Sequence, residues 1–280
     1  MNIHHIITEL EKVDPEVYDR LDSRREAMKT FAKLGGKLAL AAVPLALGGM
    51  FKKAYGQSAS TVVGVLQFAL TLEHLEAEFY KMAAAAPNLV PSGPPAGAIA
   101  TIRDHEVAHV KLLQDTITAL QGTPAPMPTF DFSAGNGSNN GPFKDVFTNY
   151  DLFLAVAQTF EDTGVRAYKG QAGNLISNNA VLTAALNIHS VEARHAAHIR
   201  YMRRNRNNDS AIKPWITGKD TGGIGAAVQA SYDGEELTTQ AGIDIINING
   251  QTINANAASE SFDEPLTKEQ VLAIVDPFIA

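Results

Sequence analysis

From Ser58 onward, apolar residues recur at helical spacing. Val62, Val65, Leu66, Ala69, Leu70 and Leu72 lead into a Glu-rich segment that ends near Ala86, the recurrence expected of one buried helix face. The turn signal PNLVPSGPP follows. A second helix is predicted from about Gly97 to Gln121 through Ile102, Val107, Val110, Leu113 and Ile117, stopped by Gly122-Thr123-Pro124. Residues 122–145, rich in Gly, Pro, Ser and Asn, form a long connector. A third helix then starts at Asp145 or Thr148 and reaches about Gly173, and a fourth runs from about Asn179 to Arg206. Two helical pairs joined by a long crossover predict an all-α four-helix bundle whose second and third helices run parallel rather than as a hairpin.

Both flanks depart from this pattern. Residues 207–280 are Gly-, Asn- and Thr-rich, with Ile243 to Ile253 alternating like a short strand. Thr267-Lys268-Glu269-Gln270 is a capping box that opens a short apolar helix, Val271 to Val275. This extension is expected to pack on the bundle (57–206). In residues 1–56, Arg24-Arg25 precede an uncharged stretch, Leu38 to Phe51, followed by Lys52, Lys53 and the small residues Ala54 and Gly56. The segment resembles a twin-arginine signal peptide, which implies export to the periplasm or outside the cell. Its 14 uncharged residues, interrupted by Pro44, are short for a bilayer-spanning helix, so no stable membrane span is expected after processing.

Composition narrows the chemistry. At 280 residues and 45% hydrophobic, the chain can bury one good core. It has no cysteine, which excludes disulfides, thiolate zinc sites, iron–sulfur clusters and cysteine nucleophiles, so any metal must be held by carboxylates and imidazoles. A formal charge of -7 gives no support for nucleic-acid binding. The one dense basic run, RRNRNND at Arg203 to Asp209, reads as a solvated helix C-terminus.

An internal repeat carries the chemistry. Thr71-Leu72-Glu73 with Tyr80-Lys81 matches Thr159-Phe160-Glu161 with Tyr168-Lys169, and Glu106-Val107-Ala108-His109 matches Glu192-Ala193-Arg194-His195. A Glu and a His three apart share one helix face, so Glu73, Glu106, His109, Glu161, Glu192 and His195 can all face one core. Four buried carboxylates repel one another and cost several kcal/mol each without cations, and two divalent ions would neutralise them. Glu76 competes with Glu73, but the match of Glu73 and Tyr80 to Glu161 and Tyr168 favours Glu73. Tyr80 and Tyr168 lie two turns from the lone glutamates, placed to hydrogen-bond a ligand carboxylate. His74, His105, His189 and His198 read as supporting or otherwise satisfied polar groups.

These motifs resemble the ferritin-like superfamily of ferritins, rubrerythrins and manganese catalases. LEHLEAEFY and FDEPLTKEQVLAIVDPF further resemble the bacterial and plant ferritin-like proteins called desiccation-related. The resemblance implies a ferritin-like four-helix bundle with two divalent metals, iron first and manganese as the alternative. It makes Glu106 and Glu192 bridging ligands, Glu73 and Glu161 terminal ones, and His109 and His195 one imidazole per metal. The expected activity is dimetal redox handling of oxygen, peroxide or ferrous iron, of ferroxidase, peroxidase or catalase type. A stress-protection protein without turnover is the alternative, and a homo-oligomer is left open. A zinc metallopeptidase with His105, Glu106 and His109 in a His-Glu-x-x-His helix is a third reading, disfavoured by the second Glu-x-x-His.

Overall fold

The structure is a computed structural model that describes residues 59–280 apart from Ala241 and Asn249. The leader-like features of residues 1–56 lie outside the described residues. Four long helices dominate: α1 (Ala59–Ala85), α2 (Pro94–Ala119), α3 (Tyr150–Ala172) and α4 (Asn179–Asn207). α1 packs along α2 and α3 along α4, with further contacts between α1 and α3 and between α2 and α4. This is the predicted four-helix bundle.

Local chemistry sets the helix ends. Pro94 and Pro95 occupy the first turn of α2, where a missing N–H has no helical partner to lose and the fixed φ suits a helix. That turn therefore begins three residues before the predicted Gly97. α3 begins later than predicted because Asn149 caps it, accepting hydrogen bonds from the Asp151 and Leu152 amides. Residues before Asn149 are held in turns instead, with Thr148 Oγ1 donating to the Asp145 carbonyl at 3.1 Å. Asn178 caps α4 by accepting from the Val181 amide. At the other end of α4, Asn208 adopts a left-handed φ of 49°, a conformation asparagine tolerates better than most residues.

Every residue from Phe153 to Tyr168 of α3 is buried, so this helix is covered all round. The extension supplies part of that cover. A 3-10 segment, Ala226–Ser231, and the capped helix α6 (Lys268–Val275) both pack on α3, and the Thr267 capping box forms with Gln270 as predicted. The connector is tied down from the same side, because the Asp131 amide donates to the Phe278 carbonyl at 2.8 Å. The alternating Ile243–Ile253 stretch is not one strand. It folds back within two small antiparallel pairs, β1 (Thr239–Gln240) with β2 (Ile243–Asp244) and β3 (Asn247–Ile248) with β4 (Gln251–Thr252), followed by the short α5 (Ala255–Ser259).

Buried arginines lock the extension to the bundle. Arg166 Nε lies 2.7 Å from Glu235 Oε1, and the same guanidinium donates to the carbonyls of Glu264, Ser231 and Asp233. Arg200 pairs with Asp162, which also accepts from the Tyr232 hydroxyl. The solvated reading of the basic run needs correcting at its first residue, since Arg203 is buried and donates to Gln158 and to the Gly222 carbonyl. A buried guanidinium needs several acceptors, and the extension provides them as backbone carbonyls.

Candidate metal centre

The six residues drawn from the repeat converge in the bundle core, each on its expected helix. Glu73 comes from α1, Glu106 and His109 from α2, Glu161 from α3, and Glu192 and His195 from α4. All four carboxylates are 0% exposed and both imidazoles are buried. His109 Nδ1 lies 3.1 Å from Glu73, 3.0 Å from Glu106 and 3.0 Å from Glu192. His195 Nδ1 lies 2.7 Å from Glu106, 3.3 Å from Glu161 and 3.6 Å from Glu192. The donor atoms fall into two groups, Glu73/Glu106/His109/Glu192 and Glu106/Glu161/Glu192/His195, each with its atoms within 4.8 Å of one another. Glu106 and Glu192 belong to both groups.

His109 Nδ1 hydrogen-bonds Glu73 and Glu106, but much of the cluster is close without being bonded. Glu106 Oε1, Glu161 Oε2, both Glu192 oxygens and His195 Nδ1 are buried without a hydrogen-bond partner, although the nearest imidazole nitrogen and carboxylate oxygen are only 2.7 Å apart. The angles decide between these two observations, because a contact with the N–H turned away leaves both lone pairs unsatisfied. Orphaned buried acceptors are costly, and a cluster of them converging from α2, α3 and α4 fits a shared cation. The oxygen and imidazole set suits iron or manganese.

Electrostatics give the same reading. Burial pushes the Glu73 carboxyl up to about 8, with the Glu192 charge adding to it. Burial likewise holds the Glu161 carboxyl well above its ordinary range. Burial opposes the His195 imidazolium, yet the charge of Glu161 and contacts with Glu106, Glu161 and Glu192 raise it to about 12. For Glu192 burial is overcome by contacts with His109 and His195, which draw the carboxyl down to about 2. The centre thus holds extra protons when no other cation is bound, and those protons must leave for a metal to enter.

The tyrosines do more than the repeat suggested. Tyr80 donates to Glu161 and Tyr168 donates to Glu73, so each phenol crosses to the carboxylate of the other half. The sequence shows the two Glu–Tyr spacings but not this exchange, which depends on α1 and α3 packing side by side. His105 supports the site from outside, its Nδ1 2.9 Å from His195 Nε2, which fixes His195 with Nδ1 toward the carboxylates. That contact places His105 outside both donor groups, unlike the metallopeptidase arrangement. His189 Nδ1 pairs with the Val165 carbonyl at 3.0 Å, His198 lies tilted against Tyr201 with ring centres 6.2 Å apart, and His74 is buried with Nε2 unpartnered.

Residues 61–205 match the family described as the ferritin-like domain. The chain belongs to that family. No curated protein matches it.

One departure from two-fold symmetry in this ferritin-like centre went unread in the sequence. Glu76 is buried beside the clusters, and its repeat partner is Gly164. A Cβ at Gly164 would stand 3.2 Å from Glu76 Oε1, so the glycine makes room for a fifth acid. Burial, then the charges of Glu192, Glu161, Glu106 and Glu73, hold Glu76 well above the ordinary carboxylate range. Glu76 belongs to neither donor group. The absence of a side chain at Gly164 was the available signal.

Proposed function

We propose that this ferritin-like bundle holds two divalent metal ions and uses them in oxidoreductase chemistry on dioxygen, peroxide or ferrous iron. The observation that carries the reading is the pair of buried donor groups sharing Glu106 and Glu192. A pair of iron or manganese ions bound there would supply the two-electron exchange that such oxidants require. Glu106 and Glu192 would bridge, Glu73 with His109 would serve one ion, and Glu161 with His195 the other. Tyr80 and Tyr168 hold the two terminal carboxylates in place through their hydroxyls, and His105 holds the His195 ring. The donor groups are themselves fully or almost fully buried, within a bundle whose core also buries Leu72, Leu75, Phe160 and Ile199, and a low-dielectric interior strengthens each electrostatic interaction inside.

Leucine would stabilise a bundle core more simply than four acids do, so retention of the acids favours chemistry over scaffolding. The test is to supply ferrous iron or hydrogen peroxide to the metal-loaded protein, beside a Glu73→Ala, Glu161→Ala double variant. Turnover lost in the variant supports the enzyme, with ferrous oxidation alone marking a ferroxidase and oxygen release a catalase. Rates at the variant's background for both substrates would replace the enzyme with a desiccation-related, protective metal protein. We further propose that the protein is exported, a reading supported by Arg24-Arg25 ahead of the uncharged stretch Leu38 to Phe51; folding before translocation would let metal be loaded first. Retention of an Arg24→Lys, Arg25→Lys precursor in the cytoplasm would support that assignment, and unchanged export would remove it.

A further inference from the structure

The two ends of the bundle core are packed differently, and the repeat identifies the residues responsible. A shift of 88 residues carries Glu73 and Tyr80 onto Glu161 and Tyr168, and a shift of 86 carries Glu106 and His109 onto Glu192 and His195. Under the same shifts Ala167 matches Phe79, Val65 matches Phe153, Ala185 matches Ile99 and Thr116 matches Met202. Beyond Tyr80 the volume is filled, with Phe79 and Phe153 stacked at 5.1 Å between ring centres. At the matching place beyond Tyr168, the smaller residues Val65, Thr116, Ala167 and Ala185 line a cavity of about 20 Å³.

The cavity reaches the metal centre through one side chain, because the Tyr168 ring forms part of its wall while the hydroxyl is bonded to Glu73. Leu72, next in the chain to Glu73, lines it too. Its polar residues turn their groups to other partners. Thr116 Oγ1 donates to the Leu112 carbonyl at 2.6 Å, Tyr168 donates to Glu73, and Gln171 Oε1 accepts from Asn174 at 3.0 Å. A water needs two to four polar partners to settle in such a space, whereas apolar voids take up small apolar molecules.

We propose that this cavity is a binding site for dioxygen, an apolar diatomic, held against Tyr168 one residue away from the metal centre. The assignment rests on the oxygen-handling reading above and adds to it the site from which the gas enters. Val65, Thr116, Ala167 and Ala185 are each smaller than their repeat partners, and although Phe68 is larger than its partner Val156, the apolar space is left open at this end alone of the two compared.

The experiment uses xenon as an apolar probe on the full, metal-loaded chain, by xenon NMR or in pressurised crystals, together with oxidation rates for ferrous iron driven by dioxygen or by peroxide. Ala185→Ile installs the residue that the other end carries at this position, and Ala185→Val is a milder filling should the first fail to fold. The expected result is xenon bound against Tyr168 in the native protein and displaced in the filled variants. Dioxygen-driven oxidation then slows several-fold while peroxide-driven oxidation holds its rate. Absence of xenon from the cavity of the native protein, or equal slowing with both oxidants in a folded variant, overturns the proposal. Xenon bound in the cavity of a protein inert to both oxidants would instead overturn the oxidoreductase function, so the two failures are separable.

Discussion

Replacing Arg166 with methionine tests whether the extension is a locked part of the bundle. The Arg166 side chain is 1% exposed, as is that of Glu235, and Nε stands 2.7 Å from Glu235 Oε1. Its guanidinium also donates to the carbonyls of Glu264 at 2.8 Å, Ser231 at 2.6 Å and Asp233 at 3.0 Å. Burial lowers the Arg166 guanidinium and lifts the Glu235 carboxyl to about 7, directions in which desolvation outweighs mutual attraction. The pair itself therefore adds little net stability, but removing one partner strands the other. Breaking such a buried pair costs about 3–5 kcal/mol, a melting-temperature loss on the order of 10 °C for a domain of this size. The Glu235 carboxyl, raised in the fold, makes the loss smaller below its unfolded range and larger as pH rises through 7. Adding Glu235→Leu should recover the electrostatic part and leave the cost of the three carbonyls and of the Glu264 amide, which donates to Glu235 at 2.8 Å. Because α6 packs on α3 and Ile274 and Val275 lie beside Glu76, loosening the extension should also speed metal extraction by a chelator. Calorimetry at pH 5.5 and pH 8 with chelator-exchange kinetics provides the measurement. A single variant within about 1 kcal/mol of the native protein, or as stable as the double variant at both pH values, would refute this account of the lock.

At Gly170 an added Cβ would stand 1.9 Å from the Leu266 carbonyl oxygen. Gly170→Ala should thus push the extension off α3 and lower the melting temperature, whereas Gly173→Ala, whose Cβ meets nothing within 4 Å, should not; equal effects would discount the close approach. In the metal-free protein, Glu73 raised to about 8 and His195 raised to about 12 both contribute stability that falls as pH rises. For Glu73 the loss begins above its unfolded value near 4.5, and for His195 above its unfolded value near 6.5. Glu192, drawn down to about 2, instead loses its contribution as pH falls below 4.5. Metal-free stability should therefore peak near pH 4.5, and the melting gap between loaded and metal-free protein should widen from pH 6 to pH 8. A gap that narrows over that range in parallel thermal scans would contradict the protonation pattern.

The bundle and the convergence of the six repeat residues on its core were legible because helical period and repeat act together. A Glu-x-x-His on one helix has many explanations, but two of them in order with two Glu–Tyr helices have few. The crosswise Tyr80–Glu161 and Tyr168–Glu73 bonds were not legible, since spacing within a helix does not reveal which neighbour lies across it. Arg203 was misread for a related reason: its charge suggests solvent, and the acceptors that bury it come partly from Gly222 and its segment, distant in sequence. The Gly/Asn-rich extension offered little periodicity, and its backbone carbonyls are held by Arg166 on α3 and by Arg200 and Arg203 on α4. Only its capping box was local enough to read.

The most direct test of the dimetal centre is the number of ions per chain, measured by elemental analysis of protein loaded with ferrous iron or manganese and freed of excess metal. Two donor groups sharing Glu106 and Glu192 predict two ions per native chain. Glu106→Gln or Glu192→Gln should bring occupancy below one, because each serves both groups, while Glu73→Gln or Glu161→Gln should spare the ion of the opposite group. Fewer than two ions in the native protein, or equal losses in all four variants, would contradict the shared-carboxylate centre.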